Sequence, residues 1–263
     1  MEKINSITAN VITQLTKMVE MKKESIGQLV AFYCQERLLY RLSTSSYYDQ
    51  FYIEGDLLFF TLAEGVGMPP SELTLTAQKS AYQNDIVQQA FTEICSIEIQ
   101  EDGIQFLEND IESIITDTSI HLKIPATLDP ITTYIEINIT FIENRMAPTT
   151  ITFPSMLDMK PAELYTFPIE FVVAQAFLDI FQYPSMTSKV VVDIERLLQT
   201  QNIEGRKLQA YLEELSDHRH LTWEPTPILE KGIVKQFFNP IYEVLLADGE
   251  FFKQWNGKEQ AWQ

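Results

Sequence analysis

Between Tyr134 and Phe141 the chain alternates: Ile135, Ile137, Ile139 and Phe141 are apolar, and Glu136, Asn138 and Thr140 between them are polar. A period of two puts these sets on opposite faces of a strand, so the run predicts a β-strand with one buried face. Glu72-Leu73-Thr74-Leu75-Thr76 alternates in the same way and predicts another. Phe51–Ile53, His121–Pro125 and Thr149–Phe153 are shorter candidates. Ser96–Gln100 and Ile104–Leu107 flank Glu101-Asp102-Gly103, which predicts a hairpin. Ile111–Ile115 is expected to extend or cap it.

Elsewhere the apolar residues recur at three and four. Ile7, Val11, Leu15 and Met18 predict a first helix capped by Asn5 or Ser6. Ser25 is expected to cap a second, carrying Leu29, Val30, Tyr33 and Leu38 and ending near Ser43-Thr44-Ser45-Ser46. Leu57–Ala63 and Asp85–Ile94 also read as helices, and Gly65–Pro70 as a loop. Beyond Pro168 the pattern is helical: Ile169–Phe181, Val190–Gln199, Ile203–Leu215 and Leu229–Leu246. The expected fold class is therefore α+β, with a mixed sheet and helices in residues 1–160 and a helical part in 161–263.

Composition adds constraints on partners. The chain has 263 residues, 45% hydrophobic and 21% charged, which suits an ordinary packed core. Against 19 Lys and Arg stand 37 Asp and Glu, a net charge of −18. Such a field repels phosphate backbones and favours basic partners. Nucleic-acid binding needs clustered cations, and the sequence has no such cluster. Cys34 and Cys95 lie in apolar surroundings without metal-ligand spacing, so they read as buried thiols. The N-terminus lacks a basic stretch followed by an apolar run, and no apolar stretch reaches the about 20 residues of a membrane helix. A cytoplasmic protein is expected.

The segment Glu36-Arg37-Leu38-Leu39-Tyr40-Arg41-Leu42-Ser43, followed by Ser46-Tyr47-Tyr48-Asp49-Gln50-Phe51-Tyr52-Ile53, resembles the start of AbiEii-like toxins. The similarity is gapless there and continues more weakly to about residue 200; no motif identifies the stretch beyond. The resemblance implies a nucleotidyltransferase fold followed by a helical bundle, and a setting in phage defence or a type IV toxin–antitoxin pair. It also implies nucleotide transfer to an RNA acceptor by some members.

Such chemistry needs divalent metals to neutralise charge on phosphorus, held by hard oxygen ligands, and a glycine-rich turn whose N–H groups approach the phosphates. Here the family's lysine-glycine-glycine turn is Glu54-Gly55-Asp56. The family's paired aspartates on one strand fall at Glu72 and Thr74, and its third acid falls at Asn138 in Asn138-Ile139-Thr140-Phe141-Ile142-Glu143. Later motifs fall at Ala174-Gln175-Ala176-Phe177, which lacks both charged residues, and at Val191-Val192-Asp193-Ile194-Glu195, which lacks the lysine, although a one-residue gap would retain Asp193. Gly55, Asp56 and Thr74 are thus the degenerate nucleotide-binding positions, and Glu72, Glu136 and Asn138 the candidate catalytic ones. Glu136 shares a strand face with Asn138, so Glu72 with Glu136 is the pair left for a metal.

Each of these residues also has a plainer role. Glu72 reads as an exposed strand carboxylate and Gly55 as a turn residue with positive φ. His121 reads as structural, and His218 and His220 as a solvated helix end. Tyr47, Tyr48, Phe51, Tyr52, Phe59 and Phe60 read as core. Trp255 and Trp262 sit in a polar tail that either docks on a partner or stays disordered. Three functions compete. The first is a scaffold with lost or altered catalysis that binds a protein, a basic one being favoured by the net charge, and uses no cofactor. The alternative is a magnesium-dependent nucleotidyltransferase with a rearranged site, acting on RNA or protein. A sensor that binds a nucleotide without chemistry is the third.

Overall fold

The computed structural model describes residues 2–66, 69–78, 84–142, 147–182, 187–219 and 232–263. They divide into two compact units, 1–166 and 167–263.

The first unit opens with α1 (Glu2–Lys22) and α2 (Ile26–Thr44). Its remaining elements are β1 (Phe51–Ile53), α3 (Gly55–Leu62), β2 (Glu72–Gln78), α4 (Asn84–Cys95), β3 (Gln105–Phe106), β4 (Glu112–Ile115), β5 (Ser119–Leu128), β6 (Ile131–Ile142), β7 (Thr149–Thr152) and β8 (Glu163–Thr166). α1 begins at Glu2, so Asn5 and Ser6 lie inside the helix rather than capping it. Ser25 does cap α2 in a capping box: its Oγ accepts from the Gln28 N–H, and the Gln28 Oε1 accepts from the Ser25 N–H at 2.9 Å.

The strands form one mixed, eight-stranded sheet in the order β3-β5-β6-β2-β1-β8-β7, with β4 also paired to β5. β6 is antiparallel to β5 and parallel to β2. The alternation seen in the sequence decides the faces. Ile135, Ile137 and Ile139 of β6, Leu73 and Leu75 of β2, and Ile120, Leu122 and Ile124 of β5 are all buried. α2 packs on this side, against β6 and α4. The polar partners of those residues point to the other face.

The expected strand and hairpin around residues 96–103 also fail. Ser96–Gln100 is not a strand, and Glu101-Asp102-Gly103 does not close a hairpin. The turn instead carries Asp102 into the core. Its carboxylate accepts from Arg41 and Arg37 of α2 and from the Ile104 N–H, and its backbone O accepts from the Tyr33 hydroxyl. Burying a carboxylate requires such partners, and that requirement outweighs local hairpin propensity. β8, which follows the loop after β7, was not foreseen from the sequence; it joins β1 in parallel through Tyr52 and Tyr165.

The same arrangement explains Glu36-Arg37 and Arg41 chemically. Glu36 accepts from the Ser155 Oγ and Met156 N–H at 2.9 and 2.7 Å, and Arg37 donates to the Lys160 carbonyl at 3.0 Å. Arg37 also lies over the Tyr40 ring, and Arg41 over Phe106. These charged residues are almost fully buried and tie α2 to loops distant in sequence. The expected aromatic core is partly present: Phe51, Tyr52 and Phe60 are buried, whereas Tyr48 is exposed and Tyr47 donates to Glu93 at the surface. Cys34 and Cys95 are buried free thiols, and burial pushes the Cys95 pKa up to about 12.

The second unit contains α5 (Ile169–Gln182), α6 (Thr187–Thr200), β9 (Ile203–Glu204), α7 (Gly205–Arg219), α8 (Gly232–Leu246), β10 (Gln254–Asn256) and β11 (Ala261–Trp262). The four helices lie close to where periodicity placed them, except that Ile203–Glu204 is a strand rather than a helix start and residues 229–231 lie outside the described residues; a small sheet in the order β11-β10-β9 was not foreseen. The tail reading is overturned with it. Trp255 is 1% exposed and donates its indole N–H to the Leu198 carbonyl at 2.7 Å. Trp262 donates to the Phe237 carbonyl at 2.8 Å and stacks on the Phe237 ring. The tail looks polar because β10 and β11 contribute only one apolar side each to an aromatic cluster. Ala174 and Phe177 are core residues of this unit, and Phe177 stacks on Phe238. His220 and Glu143 lie outside the described residues, as does the side chain of His218. No helix among the described residues is long and apolar enough to cross a membrane.

Candidate functional site

The polar face of the sheet in the first unit collects most of the candidate residues. β2 and β6 run in parallel register, with Glu72 opposite Glu136, Thr74 opposite Asn138 and Thr76 opposite Thr140. β5 continues each row, placing Lys123 opposite Glu136, His121 opposite Asn138 and Ser119 opposite Thr140. Neighbouring strands lie about 4.8 Å apart, so these side chains form three short polar rows on one face.

The turn between β1 and α3 sits at the end of this face. The Glu54 N–H donates to the Thr74 carbonyl at 3.1 Å, which pins the turn onto β2. Gly55 has φ +55°, a left-handed conformation that side chains resist. A Cβ there would stand 3.7 Å from the Thr74 side chain, so space is not what requires glycine. Gly55 and Thr74 are therefore brought together. Asp56 occupies the first turn of α3 and is exposed, where a carboxylate interacts favourably with the helix dipole.

Glu54 behaves differently from Asp56. Its carboxyl is largely buried, and Thr76 hydrogen-bonds to it. Burial pushes its pKa above the ordinary carboxyl range, and the Thr76 hydroxyl pulls it part of the way back. The Thr76 and Thr140 hydroxyls are 3.2 Å apart, so a polar line runs from the turn across β2 to β6. Where the resemblance calls for a lysine that would meet phosphate, this chain has a carboxyl engaged with its own strand.

Glu72 leans across β6 toward β5. The His121 Nδ1 lies 3.7 Å from its Oε1, with both side chains about one-third exposed. Lys123 continues the row beyond Glu136, and its Nζ lies 4.4 Å above the exposed ring of Tyr134. His121 and Lys123 were not read as site residues. Their spacing of two puts them on one face of β5, but only the register of β5 against β6 sets that face beside Asn138 and Glu136.

The donor chemistry can be compared with what a magnesium-bound triphosphate needs. Magnesium takes near-octahedral oxygen ligands, with carboxylates supplying the charge. This face offers one carboxylate from β2 and one from β6; the next row offers a hydroxyl, a neutral amide and an imidazole. Glu72 already faces His121, and Lys123 stands beside Glu136. The Lys123 ammonium competes with a metal for Glu136, and the His121 imidazole occupies the space beside Glu72. These residues do not fit the metal centre that the resemblance implies. Among the described residues no group of three or more His, Cys, Asp or Glu could hold a metal ion.

Comparison with known proteins bears on the family. A family model described as "Nucleotidyl transferase AbiEii toxin, Type IV TA system" matches residues 60–263. The match begins after the Glu36–Ile53 segment and includes the stretch beyond residue 200, for which no motif could be quoted. No curated protein matches the chain. Among solved structures, JHP933 from Helicobacter pylori is 13% identical, with a TM-score of 0.43, over 72% of this chain and 75% of that one. A structure described as "putative nucleotidyltransferase from H. pylori" is 12% identical, with a TM-score of 0.42, over 85% of this chain and 92% of that one. By the family match, which covers most of its length, the chain belongs to the AbiEii nucleotidyl transferase toxin family.

Proposed function

We propose that this chain is a cytoplasmic nucleotidyltransferase-fold scaffold that has lost or strongly altered catalysis and acts by binding a protein, in phage defence or a toxin–antitoxin setting. The observation that supports this reading most is the row Thr74–Asn138–His121, where neutral or basic groups stand in place of acidic ligands. Glu54, held by Thr76 beside the Gly55 turn, supports it further, because a carboxyl replaces the cation that would meet phosphate. The net charge of −18 favours a basic protein partner over a nucleic acid. Titration calorimetry of the full chain with nucleoside triphosphates and magnesium tests the reading; no heat of binding is expected, and micromolar affinity would overturn it.

One observation favours a second reading, an active enzyme with a rearranged site. Glu72 and Glu136 are direct neighbours across parallel strands. Transfer of label from a radiolabelled triphosphate to RNA or protein, abolished by Glu72→Ala, would establish that reading and displace the first. A nucleotide that raises the melting temperature without any transfer would mark a sensor instead.

A further inference from the structure

We propose that the free edge of β4 is a strand-addition site for an extended, basic segment of a partner protein. This rests on the protein-binding reading above and gives it a location.

β4 pairs with β5 alone among the described residues. The Thr116 N–H donates to the Ser119 carbonyl at 2.9 Å and so fixes the phase of the β4–β5 ladder. Antiparallel pairs alternate between hydrogen-bonded and non-hydrogen-bonded, so Glu112 and Ile114 bond inward to β5. Ser113 and Ile115 therefore aim their N–H and C=O groups away from the sheet. That is a ready template for another strand.

The side chains on this edge do not discourage pairing. Ile114 is 66% exposed and Ile115 44% exposed, on opposite faces of β4. β4 has no lysine, proline or bulge to blunt its edge; it is only four residues long, and its one charged residue is Glu112 at the start. At the opposite end of the sheet, β7 exposes Thr149, Thr150 and Thr152 instead.

Charge selects the occupant. Glu108, Asp110, Glu112 and Asp117 flank the two isoleucines along the chain, residues 107–119 include no Lys or Arg, and Glu112 is the one of these acids that has a lysine, Lys123, opposite it in the β4–β5 register. A second copy of this chain would bring the same acids against these. A segment with Lys or Arg alternating with β-branched residues would satisfy the acids, the isoleucines and the backbone groups together. Main-chain bonds supply affinity in such complexes, and the alternate side chains supply specificity.

The test uses the full chain and a fluorescently labelled peptide of alternating Lys and Val, followed by anisotropy. Saturable binding is expected. Ile115→Pro removes one outward N–H and leaves the β5 ladder intact, so it should weaken binding about tenfold. A peptide of the same sequence with N-methylated backbone keeps its charge but cannot pair, and should bind as weakly. Ile114→Thr, which keeps strand propensity, should give an intermediate loss. Thermal melts confirm that both variants fold. Absence of binding, or equal affinity of parent and Ile115→Pro, would overturn the proposal and reduce the attraction to general charge. A homodimer by light scattering that Ile115→Pro dissolves would overturn it in favour of a second copy. These results are independent of nucleotide binding: a negative peptide titration leaves the altered-catalysis reading standing, and label transfer would sink that reading without touching the β4 edge.

Discussion

Arg41 holds Asp102 through both terminal nitrogens, with Nη1 2.6 Å from Oδ2 and Nη2 3.3 Å from Oδ1, although the two residues are 61 positions apart. Arg37 reaches the same carboxylate at 3.4 Å. All three are buried, so none of the charges can recover water if a partner is lost. Asp102→Ala is expected to destabilise the chain by about 3–5 kcal/mol, because it strands two guanidinium groups in the core. Urea unfolding measures this; a loss near the about 0.5 kcal/mol of an ordinary surface substitution would contradict it.

Glu54 predicts a particular pH dependence. Its pKa is raised by burial, against the smaller effect of the Thr76 hydroxyl. A carboxyl with a higher pKa in the folded state binds its proton more tightly there. Its contribution to stability is complete below the unfolded pKa and is lost as pH rises through the folded one. Glu54→Gln keeps an acceptor for Thr76 and removes the titration. The variant should match the parent at acid pH and become the more stable protein as pH rises past the ordinary carboxyl range. Urea midpoints across a pH series check this, and parallel profiles would refute the assignment. Glu36 is also raised by burial, opposed by the Met156 N–H, Ser155 and Arg37, so it leaves a residual slope in both proteins.

Trp255 ties the C-terminal strands to the helices of the second unit. It is buried, donates to the Leu198 carbonyl and packs edge-on against Phe237. Trp255→Ala should cost about 3–5 kcal/mol, through the cavity and the unsatisfied carbonyl. Removing residues 254–263 should cost at least as much, read as a lower denaturation midpoint of the full-length background. Wild-type stability in the truncated chain would restore the view of a dispensable tail.

Gly55→Ala separates conformation from packing. The new Cβ would make only ordinary contact with Thr74 at 3.7 Å, so the cost comes from the left-handed φ of +55°. A destabilisation of about 1–2 kcal/mol is expected. A much larger loss in a thermal or urea melt would contradict a purely conformational cost at this turn.

The fold was legible wherever one residue's neighbours along the chain decide its burial. The alternation of Ile135, Ile137 and Ile139 placed β6 and its faces, and Ser25 with Gln28 marked the start of α2. The polar rows were half legible: Glu72, Thr74, Glu136 and Asn138 could be assigned to faces by counting in twos. That His121 and Lys123 join them depends on the register of β5 against β6, which no local pattern states. Glu101-Asp102-Gly103 misled for a similar reason, since its turn chemistry is real but its role is set by arginines on a distant helix.

The sequence by itself determined the main helices and the strands β2, β5 and β6, because side-chain period is a property of consecutive residues. It also determined, through the family it belongs to, the kind of protein this is. Only the tertiary structure decided that Glu36, Arg37 and Arg41 build a buried network, that Trp255 and Trp262 close a core, and that Glu54 turns toward Thr76. Charge and burial are pairwise properties, so they are settled by which residues meet in space, and the order of residues along the chain leaves that open.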